Sequence, residues 1–315
     1  MSRVIQTGQA LVDVVTEVPA LPRRGQNVMA RSATRYAGGA VTTLLAAARF
    51  GATCVHAGAH GTGPNGDLVR ETLGAEGVTL SAPPVEELDT ATCVVLVEPS
   101  AERTFVTALG AEREVSAASF ATSQPGPGDL VCVTGYTLAL ERTREPLLSW
   151  LASLDPGVVV VLDPGAAFAA LPDDVRTTML EHTDVWTSNA EEAADLLAAL
   201  GRPLPEGADT MAAPAELIAP LLRGNAVTIV RDGAEGCAVH VAGETTVLPG
   251  YRQTPVDTNG AGDTHTGVLA AEVARGREWV EASRSANAAA AIKVTRRGPD
   301  TAPTAAEVET FLRDR

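Results

Sequence analysis

The chain has 315 residues, 45% of them apolar and only 3% aromatic, enough for one large α/β domain with a small appendage or for two domains. Its formal net charge is −15 and no basic stripe runs along it, which argues against nucleic acid and anionic membrane surfaces as partners. Of its 24 basic residues only Lys293 is a lysine, and it lacks the glycine-rich context of a Gly-Lys-Ser/Thr loop, so any phosphate site must use backbone N–H groups, helix N-termini, arginine or metal.

The N-terminal stretch "MSRVIQTGQALVDVV" has no signal-peptide h-region, and no apolar run approaches the roughly 18 residues that cross a bilayer, so a cytoplasmic protein is expected. "VIQTGQALV" reads as a first strand, with Asp13 at its end. "GGAVTTLLAAARFGA" reads as a helix opened by glycine and closed by Gly51. A strand at "TCVHAGAHG" and a helix at "GDLVRETLGAEGV" follow. "DLVCVTG", "GVVVVLDPG", "DVWTS" and "AVTIVRDG" read as buried strands, with helical patterns between them at 141–152, 173–182, 189–200 and 214–223. Such an alternation predicts a mostly parallel, doubly wound sheet with helices on both faces.

Two segments break the alternation. Residues 13–36 hold short extended pieces among Pro19, Pro22 and Gly25, and residues 90–112 hold two strands joined by "PSAE". They are expected to pair as a small antiparallel sheet, a lid of 13–36 and 90–112 outside a large domain of 1–12, 37–89 and 113–315. An exposed sheet of this kind invites a partner, so a homodimer through the lid is expected. The four cysteines (Cys54, Cys93, Cys132, Cys237) are far apart in sequence and read as reduced, buried, small hydrophobes. Near the C-terminus, "EWVEASRSANAAAAIKV" predicts an Ala-rich helix, and Thr304 and Glu307 stand at capping-box spacing before a last helix.

The stretch "DTNGAGDTHTG" (257–267) follows an extended segment and opens a helix. The N–H groups of Gly260, Ala261 and Gly262 at that helix N-terminus form a ready anion site, which the glycines leave open to close approach. Asp263 beside it reads either as a carboxylate that takes a hydroxyl proton during phosphoryl transfer or as a plain N-cap.

"DTNGAGD" resembles the C-terminal signature of the ribokinase-like (PfkB) carbohydrate kinases. "AGGAVTTLLAAARFGA", "SNAEEA", "RDGAEG" and the closing helices resemble further segments of that family, over essentially the whole chain. The resemblance implies the ribokinase-like three-layer fold with a small β-sheet lid. It implies an ATP-dependent kinase that phosphorylates a hydroxyl of a sugar or sugar-like molecule. Asp263 would be the base, with Gly260, Ala261 and Gly262 as the anion hole. Asn189 and Glu192 would organise Mg2+ through waters; Ser188 and Glu191 also stand at capping-box spacing. Arg231, Gly233 and Gly236 would line the nucleotide, and Asn287 the adenine edge. Asp13, Gly38 and Gly39 would hold the sugar, with Thr42 (or Thr43 in another register) standing where the family has asparagine. Arg103 would reach a ring hydroxyl or an anionic substituent, or else be a solvated surface residue. Some family members bind K+ or Na+ beside the anion hole. The matching places are Asp257 and the carbonyls of Asn259, Val294 and Arg297, with a structural Asp–Thr turn as the alternative. "LDPGAAF" departs from the family's D-x-N-x-R. His265 stands where an aromatic is usual and reads as a packing substitution.

Three rival readings carry weight. The same scaffold serves nucleosides. Gly61–Gly66 fits G-x-G-x-x-G and suggests an NAD-dependent oxidoreductase, although Pro64 removes one N–H and no acid stands cleanly where the ribose needs it. A kinase relic that only senses ligand is the non-enzyme alternative, against which the retained Asp263 and glycine turn argue.

Overall fold

The run Val158–Leu162 offers apolar side chains to both faces, which suits a strand covered by helices above and below. A computed structural model describes residues 2–100 and 102–315; Met1 and Ala101, the latter within the "PSAE" connection of the expected lid, lie outside the described residues. In chain order the strands are β1 (Arg3–Gln6), β2 (Ala10–Glu17), β3 (Ser32–Gly39), β4 (Thr53–His56), β5 (Thr79–Leu80), β6 (Thr92–Val97), β7 (Arg103–Ala108), β8 (Leu130–Thr134), β9 (Val159–Asp163), β10 (Val185–Asn189), β11 (Val227–Arg231), β12 (Gly236–Val241) and β13 (Glu244–Pro249). The helices are α1 (Ala40–Arg49), α2 (Pro64–Ala75), α3 (Ala117–Ala121), α4 (Gly135–Leu138), α5 (Glu141–Leu151), α6 (Asp173–His182), α7 (Ala190–Ala199), α8 (Ala212–Ile218), α9 (Ala261–Ala274), α10 (Trp279–Lys293) and α11 (Ala305–Arg313).

The main sheet runs β13-β12-β11-β10-β9-β8-β1-β4-β5. Its pairs from β5 to β11 are parallel, and β12 and β13 extend the far edge as an antiparallel hairpin. One apolar core packs α1, α2, α9, α10 and α11 against one face, and a second packs α5 to α8 against the other. Alanine fills much of the first core, and Gly267 of α9 lets α1 come close: a Cβ there would lie 2.2 Å from the Thr43 carbonyl. All four cysteines are free and buried.

The expected first strand is in fact two. The Gly8 N–H turns away to the Gln6 Oε1 atom, 2.9 Å off, so the chain leaves the main sheet after β1. It then enters a four-stranded sheet of order β3-β2-β6-β7. Its outer pairs are antiparallel and its central pair, β2 with β6, is parallel. This sheet takes in Ala10–Val12 and Ala37–Gly39, which the expected division placed in the large domain. Asp13 consequently lies inside β2, opposite Tyr36 and Cys93, not at the end of β1. The helix expected over 214–223 ends at Ile218, and a 3-10 turn containing Pro220 follows, since proline cannot continue the ladder of N–H bonds. The β12–β13 hairpin was not anticipated. Among the described residues no helix is long and apolar enough to cross a membrane.

Candidate active site

Parallel strands deliver their last residues to one edge of a sheet, which is where α/β folds hold ligands. Here Asp163, Asn189 and Arg231 end the adjacent strands β9, β10 and β11. The N-terminus of α9 faces them across a cavity of about 560 Å³, whose lining includes Glu192, Asp263 and Asn287. A second cavity, of about 530 Å³, lies between the small sheet and segments 256–259 and 297–298. Segment 257–263 separates the two.

The glycine turn has a left-handed cap. Gly260 sits at φ 75°, and a Cβ on it would lie 2.9 Å from the Thr42 Cγ2 methyl. Ala261 donates a long bond to the Thr258 carbonyl at 3.3 Å. The N–H groups of Gly262 and Asp263 find no acceptor among the described residues. The turn therefore offers free donors at the positive end of a 14-residue helix. Asp263 stands at the third helical position, not at the cap, which removes the plain N-cap reading. Burial, and then the negative charge of Asp163, push its carboxyl up to about 7; Arg231 and a 3.4 Å bond from Thr43 Oγ1 oppose them. Of the two threonines it is thus Thr43 whose hydroxyl meets Asp263, while the Thr42 methyl packs beneath the turn.

On the lid side, Asp13 is buried and its carboxyl is raised to about 6 by burial, against a hydrogen bond from the Asn259 side chain. Gly38 makes room for it: a Cβ there would sit 2.3 Å from Asp13 Oδ2. Gly39 caps α1. Arg103 is neither free nor solvated. It donates to Asp257 Oδ1 at 2.6 Å and to Thr258 Oγ1 at 3.0 Å, tying β7 to the signature segment. This pairing holds two of its guanidinium nitrogens, and the residue also lines the second cavity.

On the other side, Arg231 is a strut. It donates to the carbonyls of Gly262 (2.8 Å) and Ser188 (3.1 Å), lies 3.4 Å from Asp163 Oδ2, and forms part of the cavity wall. Gly233 and Gly236 flank a 3-10 turn on the cavity wall. Asn287 Oδ1 lies 3.2 Å from His265 Nε2, and Asn287 stands on the cavity wall. Burial lowers the His265 pKa to about 3, so the ring is neutral where it meets α10.

Asn189 and Glu192 form the capping box of α7, Asn189 Oδ1 accepting from Glu192 N at 2.7 Å and Glu192 Oε2 from Asn189 N at 3.0 Å; the box expected at Ser188 and Glu191 is displaced by one residue. Burial and the nearby Asp163 carboxylate raise the Glu192 pKa. Among the described residues no three metal-ligating side chains close on one point. A pair of cavity-wall carboxylates, Asp163 and Glu192, suits Mg2+, which keeps waters and binds phosphates together with one or two carboxylates. Asp163 is the site residue the sequence reading missed; it also accepts from Thr266 Oγ1 at 2.9 Å.

Of the positions matching a K+ or Na+ site, Asp257 and Val294 already serve other partners. The Val294 carbonyl accepts the N–H groups of Val256 (2.7 Å) and Asp257 (3.0 Å). The Asp257 carboxylate accepts from Arg103, from Asn259 N at 2.9 Å and from Gly298 N at 3.0 Å. Burial raises its pKa, but these bonds and the Lys293 and Arg103 cations outweigh that and hold it below the usual range. The Arg297 guanidinium pairs with Glu17 of the lid, while the Arg297 and Asn259 carbonyls accept no hydrogen bond among the described residues.

The dinucleotide reading of Gly61–Gly66 loses its anion site as well. The N–H groups of Asn65 and Gly66, at the start of α2, donate to the Asp89 carboxylate at 3.1 and 2.9 Å, which fills the place a pyrophosphate would take.

Residues 1–305 match the description "pfkB family carbohydrate kinase". The chain belongs to that family. It is a carbohydrate kinase, a phosphotransferase with an alcohol group as acceptor, of a family that phosphorylates sugar-like substrates from ATP. It is 30% identical over 308 residues to the uncharacterized sugar kinase YegV of Escherichia coli K12, covering 97% of this chain and 92% of that one. It is 27% identical over 308 residues to the ribokinase of Haemophilus influenzae, covering 97% and 96%. The kinase also shares the fold of the Vibrio cholerae O395 fructokinase solved with fructose, ADP and calcium, at a TM-score of 0.78, 23% identity and 99% coverage of both chains.

Proposed function

We propose that this kinase moves the γ-phosphate of ATP to a hydroxyl of a sugar or sugar derivative, and that Asp263 takes the hydroxyl proton. The observation that carries the reading is the Asp263 carboxyl itself: raised to about 7, at the mouth of a free helix N-terminus, on the segment that parts two cavities. A base is most effective when its pKa lies near the working pH. The Gly262 and Asp263 N–H groups, with those of Gly260 and Ala261, stabilise charge on the moving phosphoryl group without reorganising.

In this reading ATP enters the 560 Å³ cavity with its base toward Asn287 and the β12–β13 hairpin, between Gly233 and Gly236. Asp163 and Glu192 hold hydrated Mg2+, which neutralises phosphate charge when bound. Asp13, Gly38 and Thr43 face the acceptor, and the small sheet, tied down by Arg103 and Arg297, serves as a lid that keeps water from the reaction. The edge strand β7 exposes Phe105 and Val106, more than half accessible each, and a second lid is the partner that would cover them.

Purified protein assayed for ADP release with ATP·Mg2+ across hexoses, pentoses, keto-sugar acids and nucleosides tests the proposal. Phosphorylation of a sugar, abolished by Asp263→Asn, is the expected result. A preference for nucleosides would move the acceptor class, and no turnover with any acceptor would overturn the reading.

A further inference from the structure

Lys293 is the only lysine among the 24 basic residues of the chain, and its side chain is entirely buried. An ionised amine is not buried without compensation. Here the compensation is specific. The Nζ atom donates to the Asp257 carbonyl at 3.0 Å. Lys293 is the last residue of the 15-residue helix α10, so its charge sits at the negative end of the helix dipole. Burial and the Arg103 guanidinium lower its pKa, while the Asp257, Asp263 and Asp300 carboxylates all favour its charged form. The ammonium is thus held behind the glycine turn, where the family resemblance sets K+ or Na+.

Several oxygens there are already engaged: the Val294 carbonyl by two N–H groups, the Asp257 carboxylate by Arg103 and two N–H groups, and the Asp257 carbonyl by Lys293, which leaves the Asn259 and Arg297 carbonyls as the acceptors without a donor among the described residues. A further cation would add a third positive charge beside Arg103 and Lys293. An ammonium carries the same charge as K+ in a similar volume, and here it donates to the Asp257 carbonyl. We infer that the Lys293 ammonium is a built-in monovalent cation, a positioning residue that fixes segment 256–263 behind the anion hole, so that phosphoryl transfer runs without K+ or Na+. This rests on the kinase reading above, since it concerns the same turn.

The test begins with the wild-type protein and an acceptor it turns over in a K+-containing buffer. The protein is then freed of alkali metals, and kcat and KM are measured with KCl, NaCl or tetramethylammonium chloride at matched ionic strength. Wild-type kcat is expected to vary by less than about twofold. Lys293→Ala, which opens room at the Asp257 carbonyl, is expected to lose about tenfold or more in kcat, equal to about 1.4 kcal/mol, and to recover with K+ but not with tetramethylammonium. That selective recovery is a readout a merely structural lysine would not give. Wild-type activation by K+ of about tenfold or more overturns the inference, whatever the fate of the variant. So does a Lys293→Ala protein with undiminished kcat, or one with native circular dichroism whose loss no alkali cation restores. Absence of turnover in every salt would instead count against the kinase reading itself.

Discussion

Asp263→Asn separates what this carboxylate does for catalysis from what it costs the fold. The side chain is protonated in the native state up to about pH 7, whereas the ordinary aspartate value is 3.8. A group whose folded pKa is raised contributes stability below the unfolded value, and that contribution falls away as pH rises from 3.8 to about 7. At 1.36 kcal/mol per tenfold change in proton affinity, the full loss is about 4 kcal/mol. Asp263 is only partly shielded from water, so about half of that, ~2 kcal/mol, is the expected cost of the charge at pH 8. Asparagine keeps the shape and never ionises. At roughly 2.1 cal/mol/K of unfolding entropy per residue, Asp263→Asn should melt about 3 °C above wild type at pH 8. The gain should be smaller at pH 5, in differential scanning calorimetry without ligands. The same variant should lose about 10²–10⁴-fold in kcat with nucleotide affinity nearly unchanged. A variant that melts at or below the wild-type temperature at pH 8, or that gains equally at both pH values, would refute the account of this carboxyl.

Four further outcomes follow from particular contacts. For wild type, log kcat should rise with unit slope below about pH 7 and level off above it, as the base ionises; a flat profile across that range contradicts a base raised to about 7. Gly260→Ala forces a Cβ into φ 75° against Thr42, and should cost about 1–3 kcal/mol in denaturant titrations together with most of the activity; unaltered kinetics would mean the turn is not the anion hole. Arg103→Ala cuts the 2.6 Å tie between lid and signature and should raise the acceptor KM several-fold more than it lowers kcat, whereas a drop in kcat alone would point away from a lid role. Phe105→Glu places a charge on the exposed edge strand; sedimentation should show a dimer for wild type and a monomer for the variant, and a wild-type monomer ends the lid-dimer proposal.

Much of the fold and of the candidate site is legible in the order of the residues alone. Chemistry that requires backbone to approach a phosphate leaves few residue choices, so "DTNGAGD" and its helix stand out. Strand runs such as Val158–Leu162 announce burial on both faces. What stayed hidden has identifiable causes. Asp163 looks like any polar residue closing a strand; only its register beside Thr134 of β8, and the run of strand ends Asp163, Asn189 and Arg231, show that it faces the cavity. Gly8 ends β1 through a side-chain bond to Gln6, which apolar patterning does not record. The β12–β13 hairpin turns through Ala242 and Gly243, both at positive φ, without the Asn-Gly pair that usually marks such a turn. Arg103 and Asp257 are 154 residues apart, and no local pattern couples them. Lys293 was visible as the sole lysine, but its place behind the anion hole appears only once α10 is packed.

The measurement closest to the central claim is a structure of the protein with a non-hydrolysable ATP analogue and the acceptor found by turnover. The γ-phosphate is expected at the N–H groups of Gly260–Asp263, with one acceptor hydroxyl roughly 3 Å from the Asp263 carboxylate. A γ-phosphate bound elsewhere, or a reacting hydroxyl beyond the reach of Asp263, would contradict that claim.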